Sequence, residues 1–346
     1  MTFTRRTLLS AGAAAAMAAY TAGLPRAFAQ SGQAIVGTWG GDYGQLLSDL
    51  VDKPIMGKQG VEVLQDVANA DPRKTKLLAE KQSRRGSMDV ACLSDSDMYL
   101  TAQQEIFEPV TADKVSRMNA VFPQLQKAYA IPHIYSAQVI LYNPTKVNPA
   151  PKSFADLWDP KYRGRVGLSD ILYSANTVAA ALAGGGSLSD YGPASKKLME
   201  LRSLDAKIYP SNEALAAALK SEEVWITVMW LARGFMWKKA GIPLEHVVPS
   251  EGAPAIVFEA GVPRNARNKE NGFRYLNAML EPKAQIAFAE KMGYVPTVKD
   301  AALPPDLAKQ INLSDAERSR LLAPDYDYAV KQNAAILDFW NKQFKG

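Results

Sequence analysis

An apolar run comes first, and regular alternation follows it. Leu8 to Leu24 is apolar and rich in alanine; Arg5-Arg6 precedes it, and Pro25-Arg26 and Ala27-Phe28-Ala29 close it. A positive start, a short apolar segment and an A-x-A site predict a cleaved secretory signal over residues 1–29. The paired arginines ahead of Leu8-Leu9 point to the twin-arginine (Tat) export route. A membrane anchor is disfavoured, because Gly12, Thr21, Gly23 and many alanines dilute a run that would need ~20 mostly apolar residues. Gln30 follows the cut and carries no lipid, so the expected product is soluble in a bacterial periplasm.

Beyond the signal, Gln33 to Thr38 reads as a strand, followed by a glycine-rich turn from Trp39 to Gly44. Leu46, Leu47, Leu50 and Val51 then fall on one face of a predicted helix. Val61 to Leu64 and Asp89 to Leu93 read as further strands, with a charged helix with a narrow apolar stripe from Asp71 to Gly86 between them. Ser94 to Asp97 reads as a polar loop at the third strand's end. Strand and helix in alternation predict a parallel sheet, whose ligands gather beyond the strands' carboxyl ends.

The rhythm changes at Ala130 to Asn143, a long extended stretch suited to a strand pair passing between lobes. Arg165 to Leu168 and Val224 to Met229 are predicted strands. Helices are predicted at 177–183, 193–203, 211–221 and 231–240, with Ser211 as a cap. Ala255 to Val262 is extended again. Two helices broken at Pro282 follow, then the loop Gly293 to Pro296 and a polar helical tail.

Composition narrows the chemistry. Arg5, Arg6 and Arg26 account for three units of the formal charge of +5, leaving a nearly balanced mature chain with no footprint for nucleic acid. That chain is longer than one core usually serves, which predicts two lobes. The single Cys92 forms no intrachain disulfide and reads as a buried small hydrophobe. His133 and His246 are the only histidines and lie far apart, so no histidine-based metal site is expected and both read as structural. No serine sits in a G-x-S-x-G elbow, and the glycines at 37, 40, 41 and 44 miss the dinucleotide spacing. Neither an enzyme nor a cofactor site is expected.

Aromatic residues at loops carry the stronger signal. Trp39, Tyr43, Trp230 and Tyr294 could form flat walls for a small organic ligand or an ammonium group. Trp158 and Trp237 read as packing residues. Asp42, Asp95, Asp97, Asp170 and Glu259 are either solvated turn formers or, gathered at one cleft, a cation site. Arg233, three residues past Trp230, could fork a carboxylate or phosphate, or lie on the outer face.

Several stretches together carry a family resemblance. They are Ile131-Pro132 with Tyr135-Ser136-Ala137 running to Leu141-Tyr142-Asn143, the block Ser153 to Gly164 around Asp156-Leu157-Trp158-Asp159-Pro160, and Ala240 to Ala253. Val262-Pro263 with Asn265-Ala266 and Asn268-Lys269-Glu270, and Gly293 to Thr297, complete the set. The chain resembles periplasmic substrate-binding proteins of ABC transporters, of the spermidine/putrescine-binding type. The resemblance implies an α/β, two-lobed periplasmic binding protein fold (type II), with crossing strands as hinge and a cleft between lobes. It divides the chain into lobe 1, residues 30–137 plus 262–305, and lobe 2, residues 138–261 plus 306–346.

By the same resemblance, ligand-binding positions fall at Trp39, Tyr43, Ser94, Asp95, Ser96, Asp97, Asp170, Trp230, Phe258, Glu259 and Tyr294. A polyamine or other amine leads as solute, delivered to an inner-membrane ABC permease by a monomeric receptor with no cofactor. A carboxylated or amino-acid-like solute on Arg233 and a ferric ion are the alternatives. This sequence departs from the family at two places. The family's carboxylate on the 256–262 strand falls on Phe258, with Glu259 one residue along and so on the other face. A second family carboxylate falls on Ile171.

Overall fold

A computed structural model describes residues 32–311 and 313–346, so the predicted signal over 1–29 lies outside the described residues. The strands are β1 (Gly32–Thr38), β2 (Val61–Val67), β3 (Val90–Ser94), β4 (Ile131–Tyr142), β5 (Val166–Ser169), β6 (Lys207–Tyr209), β7 (Ile226–Trp230), β8 (Glu245–Val247), β9 (Ala253–Gly261), β10 (Val295–Pro296) and β11 (Leu321–Leu322). Their order is β2-β1-β3-β9-β4-β7-β5-β6, with β8 and β10 on β4 and β11 on β9. The outer trios β2-β1-β3 and β7-β5-β6 are parallel. The middle is antiparallel: β9 against β3 and β4, and β4 against β7.

This arrangement makes β4 the spine. Its half from Ile131 to Ala137 pairs with β9, and its half from Gln138 to Tyr142 pairs with β7. The predicted strand pair is therefore one 12-residue strand, buried along its whole length. Alternate side chains serve different cores, as the two-residue period requires. Val139 and Leu141 join a core that runs through both halves, with Ala34, Val36, Cys92 and Met229. Ile140 and Tyr142 join a second core under the helices Tyr173–Ala183 and Ala194–Ser203, closed by Trp340 and Phe344 from the chain's end.

Two expected loops are helix starts. Only Trp39 and Gly40 separate β1 from the helix Gly41–Leu47, which continues as a π-helical turn over Ser48–Met56. Ser94 caps the helix Asp95–Ala102, its hydroxyl accepting from the Asp97 amide, so the polar run 94–97 is a helical first turn. Serines and aspartates favour such caps as readily as turns, which is why the pattern was ambiguous. Ser211 caps Asn212–Lys220 as expected. Pro282 stands at the first position of Pro282–Met292, where its missing N–H costs nothing, and separates that helix from Lys269–Met279. Gly293 then ends that helix at φ +73°, and a Cβ there would lie 2.5 Å from Phe235. Tyr294 is thereby aimed by a residue only glycine can supply.

Candidate functional site

Trp39, Tyr43, Phe258 and Tyr294 meet where the β1 half adjoins the crossing strands. Trp39 leaves the carboxyl end of β1, and Tyr43 stands in the first turn of the next helix. Phe258 lies on β9 opposite Ile134 of β4, and Tyr294 follows the Gly293 turn. The rings meet edge-to-face: Trp39 with Tyr43 at 5.1 Å, Trp39 with Phe258 at 5.3 Å, and Phe258 with Tyr294 at 5.3 Å. With Ile134, Met292, Gly40 and Asp42 they line a cavity of about 240 Å³. Trp39, Phe258 and Tyr294 are partly buried, leaving ring surface for a ligand.

The cage is held rigidly from behind. The Tyr43 hydroxyl lies 2.8 Å from His133 Nδ1. Burial pushes that imidazole down to about 3, so His133 is neutral and the phenol donates to it. This bond engages the Tyr43 oxygen, which is then not free as a metal ligand. Arg73 stacks on Trp39 with its guanidinium carbon 5.0 Å from the ring centre. It donates to the Cys92 carbonyl at 2.7 Å and to the Ala68 carbonyl at 2.6 Å. Arg73 is 2% exposed, and no carboxylate pairs with it among the described residues.

The other half presents Trp230 and Arg233. Trp230 ends β7, is partly buried and precedes the helix Leu231–Lys239. Ser136 on β4 accepts from the Ala232 amide at 3.1 Å, tying that helix start to the crossing strand. Arg233 is half-buried in the helix's first turn. Burial raises the Tyr294 hydroxyl above its ordinary value, and the Arg233 charge pulls it partly back. The start of this helix thus abuts the turn that carries Tyr294: Ser136 neighbours Tyr135, the partner of Val295, and Phe235 packs on Gly293.

The acids behave differently from the aromatics. Glu259 points away from Phe258, is 1% exposed and lies 2.9 Å from the Lys127 ammonium. Burial pushes its carboxyl up to about 8, with Lys127 opposing. Asp95 belongs to the same buried cluster: it accepts from the Tyr326 hydroxyl at 2.9 Å, the Ser96 amide at 2.8 Å and the Val257 amide at 3.2 Å. Burial raises its carboxyl despite these bonds and the Lys127 charge. Asp97 pairs with Lys74 at 2.7 Å, and Ser94 and Ser96 bond within that group. Asp170 accepts from Trp340 Nε1 at 2.6 Å and from Lys345 at 2.9 Å. Partial burial would raise Asp170, but the bonds from Lys345 and Trp340 hold it below the usual range.

Of the expected positions, the structure therefore brings together Trp39, Tyr43, Phe258 and Tyr294, while Trp230 stands opposite Gln138 of β4 and does not line their cavity. It places Ser94, Ser96 and Asp97 at the end of β3 beside Lys74. Asp95 and Glu259 lie in a separate buried cluster, and Asp170 is bound to the C-terminal segment. Sequence reasoning missed Arg73, whose burial was signalled only by its i, i+4 spacing to Leu77 on the apolar stripe. It also missed Lys127 and Lys345, which pair with Glu259 and Asp170, and Tyr326, which hydrogen-bonds Asp95, all from distant parts of the chain. A second, open groove of about 590 Å³ lies between β2 and the 41–57 helical segment, on the edge of the sheet and away from the crossing strands. No group of three His, Cys, Asp or Glu able to hold a metal ion occurs among the described residues. No described helix is long and apolar enough to cross a membrane.

Two parallel sheet halves joined by crossing antiparallel strands, with an aromatic cage at the junction, define a clamp-like binding protein. Residues 52–314 match the model of the bacterial extracellular solute-binding proteins, and the chain belongs to that family. It is 27% identical over 272 residues to the spermidine/putrescine-binding periplasmic protein of Escherichia coli, covering 75% of this chain and 77% of that one. It is 23% identical to the putrescine-binding periplasmic protein PotF of the same organism, covering 70% and 72%. Among solved structures, an ABC transporter protein from Clostridium perfringens superposes with a TM-score of 0.78 at 20% identity, over 89% of this chain and 99% of that one. The fold is thus that of the periplasmic binding proteins.

Proposed function

We propose that this protein is the periplasmic solute-binding component of an ABC importer and that it captures a small, polar, amine-bearing organic solute. The observation that carries the reading is the cage of Trp39, Tyr43, Phe258 and Tyr294 at the junction of the sheet halves. Aromatic faces attract an ammonium group by ~0.5–2 kcal/mol per ring. Asp42 at the cavity's rim is half-exposed, with Lys291 at 3.7 Å, and adds negative potential there. Relatives named for spermidine and putrescine support the amine.

The two lobes take the boundaries 30–137 plus 262–305 and 138–261 plus 306–346. Closure follows when the solute touches both, because contacts made only in the closed form shift the population toward it. The Tat signal delivers the receptor to the periplasm, where it acts as a monomer without a cofactor and passes solute to the permease; it catalyses nothing. A thermal-shift screen of amines, amino acids, sugars and carboxylates tests the reading. A solute at 100 times its Kd should stabilise the protein by ~2.7 kcal/mol. A panel in which no compound raises the transition temperature would reject it.

A further inference from the structure

We propose that the solute is a zwitterion: its amine end lies in the aromatic cage and its carboxylate pairs with Arg233. This deepens the amine-receptor reading and rests on it. Arg233 stands half-buried in the first turn of Leu231–Lys239, three residues beyond Trp230 and next to Ala232, whose amide bonds Ser136 of β4; Phe235 of the same helix packs on Gly293, which precedes Tyr294 of the cage. No hydrogen bond or ion pair engages its guanidinium among the described residues. A half-buried arginine left without a partner gives up hydration and gains nothing in return until a carboxylate or similar anion arrives. Its planar fork suits a carboxylate held by two parallel bonds.

The charge census around the cage points the same way. Every acid that could anchor a second ammonium has an internal partner. Glu259 lies against Lys127, Asp97 against Lys74, and Asp170 against Lys345, each within 3 Å. Asp95 is sealed under Tyr326. Phe258, uncharged, occupies the middle of the wall. Behind Trp39, Arg73 adds a buried positive charge with no carboxylate to offset it. A diamine in the cage would add two positive charges to a site that already has Arg73 behind Trp39, and the acid at its rim, half-exposed Asp42, is itself paired with Lys291. A solute with one ammonium and one carboxylate satisfies both the aromatic faces and the free guanidinium.

The test compares chain-matched probes on the purified protein by calorimetric titration: ω-amino acids of four to six carbons, α-amino acids, diamines of the same lengths, and simple monocarboxylates. At least one amino carboxylate should bind at least tenfold more tightly than its matched diamine. Arg233→Gln should weaken that binding at least tenfold while leaving the unliganded transition temperature unchanged, since Arg233 makes no internal bond. Arg233→Lys should restore only part of it. Diamine binding that equals or exceeds that of every amino carboxylate, or that survives Arg233→Gln unchanged along with the rest, would overturn the inference and leave the amine receptor standing. Absence of binding by every probe would overturn both.

Discussion

His133 shows how one side chain sets the cage and leaves a mark on stability. Because burial keeps it neutral down to about 3, the unfolded chain takes up a proton near pH 6.5 that the folded chain refuses. Its contribution is present above the unfolded value and is lost as pH falls toward the folded one, at up to ~1.4 kcal/mol per pH unit. Urea midpoints between pH 7 and 4 should fall more steeply for the native protein than for His133→Phe; equal slopes would refute the assignment. Glu259 works in the opposite direction. Its carboxyl, raised to about 8, favours folding at low pH, and that contribution is lost as pH climbs from about 4.5 through 8. Glu259→Gln should remove that decline between pH 6 and 9, and a decline that persists would show the group to be ionised throughout. The sequence showed the aromatics of the cage because rings at strand ends are conspicuous. It did not reveal which acids are free, since Lys127 and Lys345 reach Glu259 and Asp170 from 132 and 175 positions away along the chain.

At the scale of elements, two tethers fix the halves that meet at the cage. Gln285, wholly buried on Pro282–Met292, donates to the His133 carbonyl at 2.6 Å and accepts from the Thr297 amide at 2.7 Å. Gln285→Leu would strand buried backbone groups on β4 and beside β10, and should cost about 2 kcal/mol or more by urea denaturation. The other tether is the C-terminal segment, where Trp340 and Phe344 fill the second core and Asp170 takes its two donors. Deleting residues 340–346 should destabilise the protein by roughly 3 kcal/mol or more, as large buried rings do when removed; an unchanged urea midpoint would contradict that packing. Strand and helix periods were legible over most of the chain. The fusion of the Ala130–Asn143 stretch into one strand was not, because a strand buried on both faces lacks the polar–apolar alternation that would mark its extent, and its polar His133, Ser136 and Gln138 are buried too. Ser94 to Asp97 misled for a local reason: cap and loop use the same residues.

Over the whole molecule, the sheet order places the cage beside β4, the strand that pairs with β9 on one side and β7 on the other. Solute bound there can bias a hinge built from β4 and β9, and small-angle scattering should report a smaller radius of gyration at saturation than in the free protein. The family resemblance makes this architecture legible from the sequence. It led toward polyamine chemistry less securely, because ligand charge depends on a few side chains whose partners lie far apart in sequence. The most direct measurement of the central claim is a calorimetric titration of the solute selected by screening into the native protein and into Trp39→Ala. One-to-one binding that weakens at least tenfold on loss of the indole is the expected result. Equal affinity in the two proteins would contradict the placement of the site in the Trp39, Tyr43, Phe258 and Tyr294 cage.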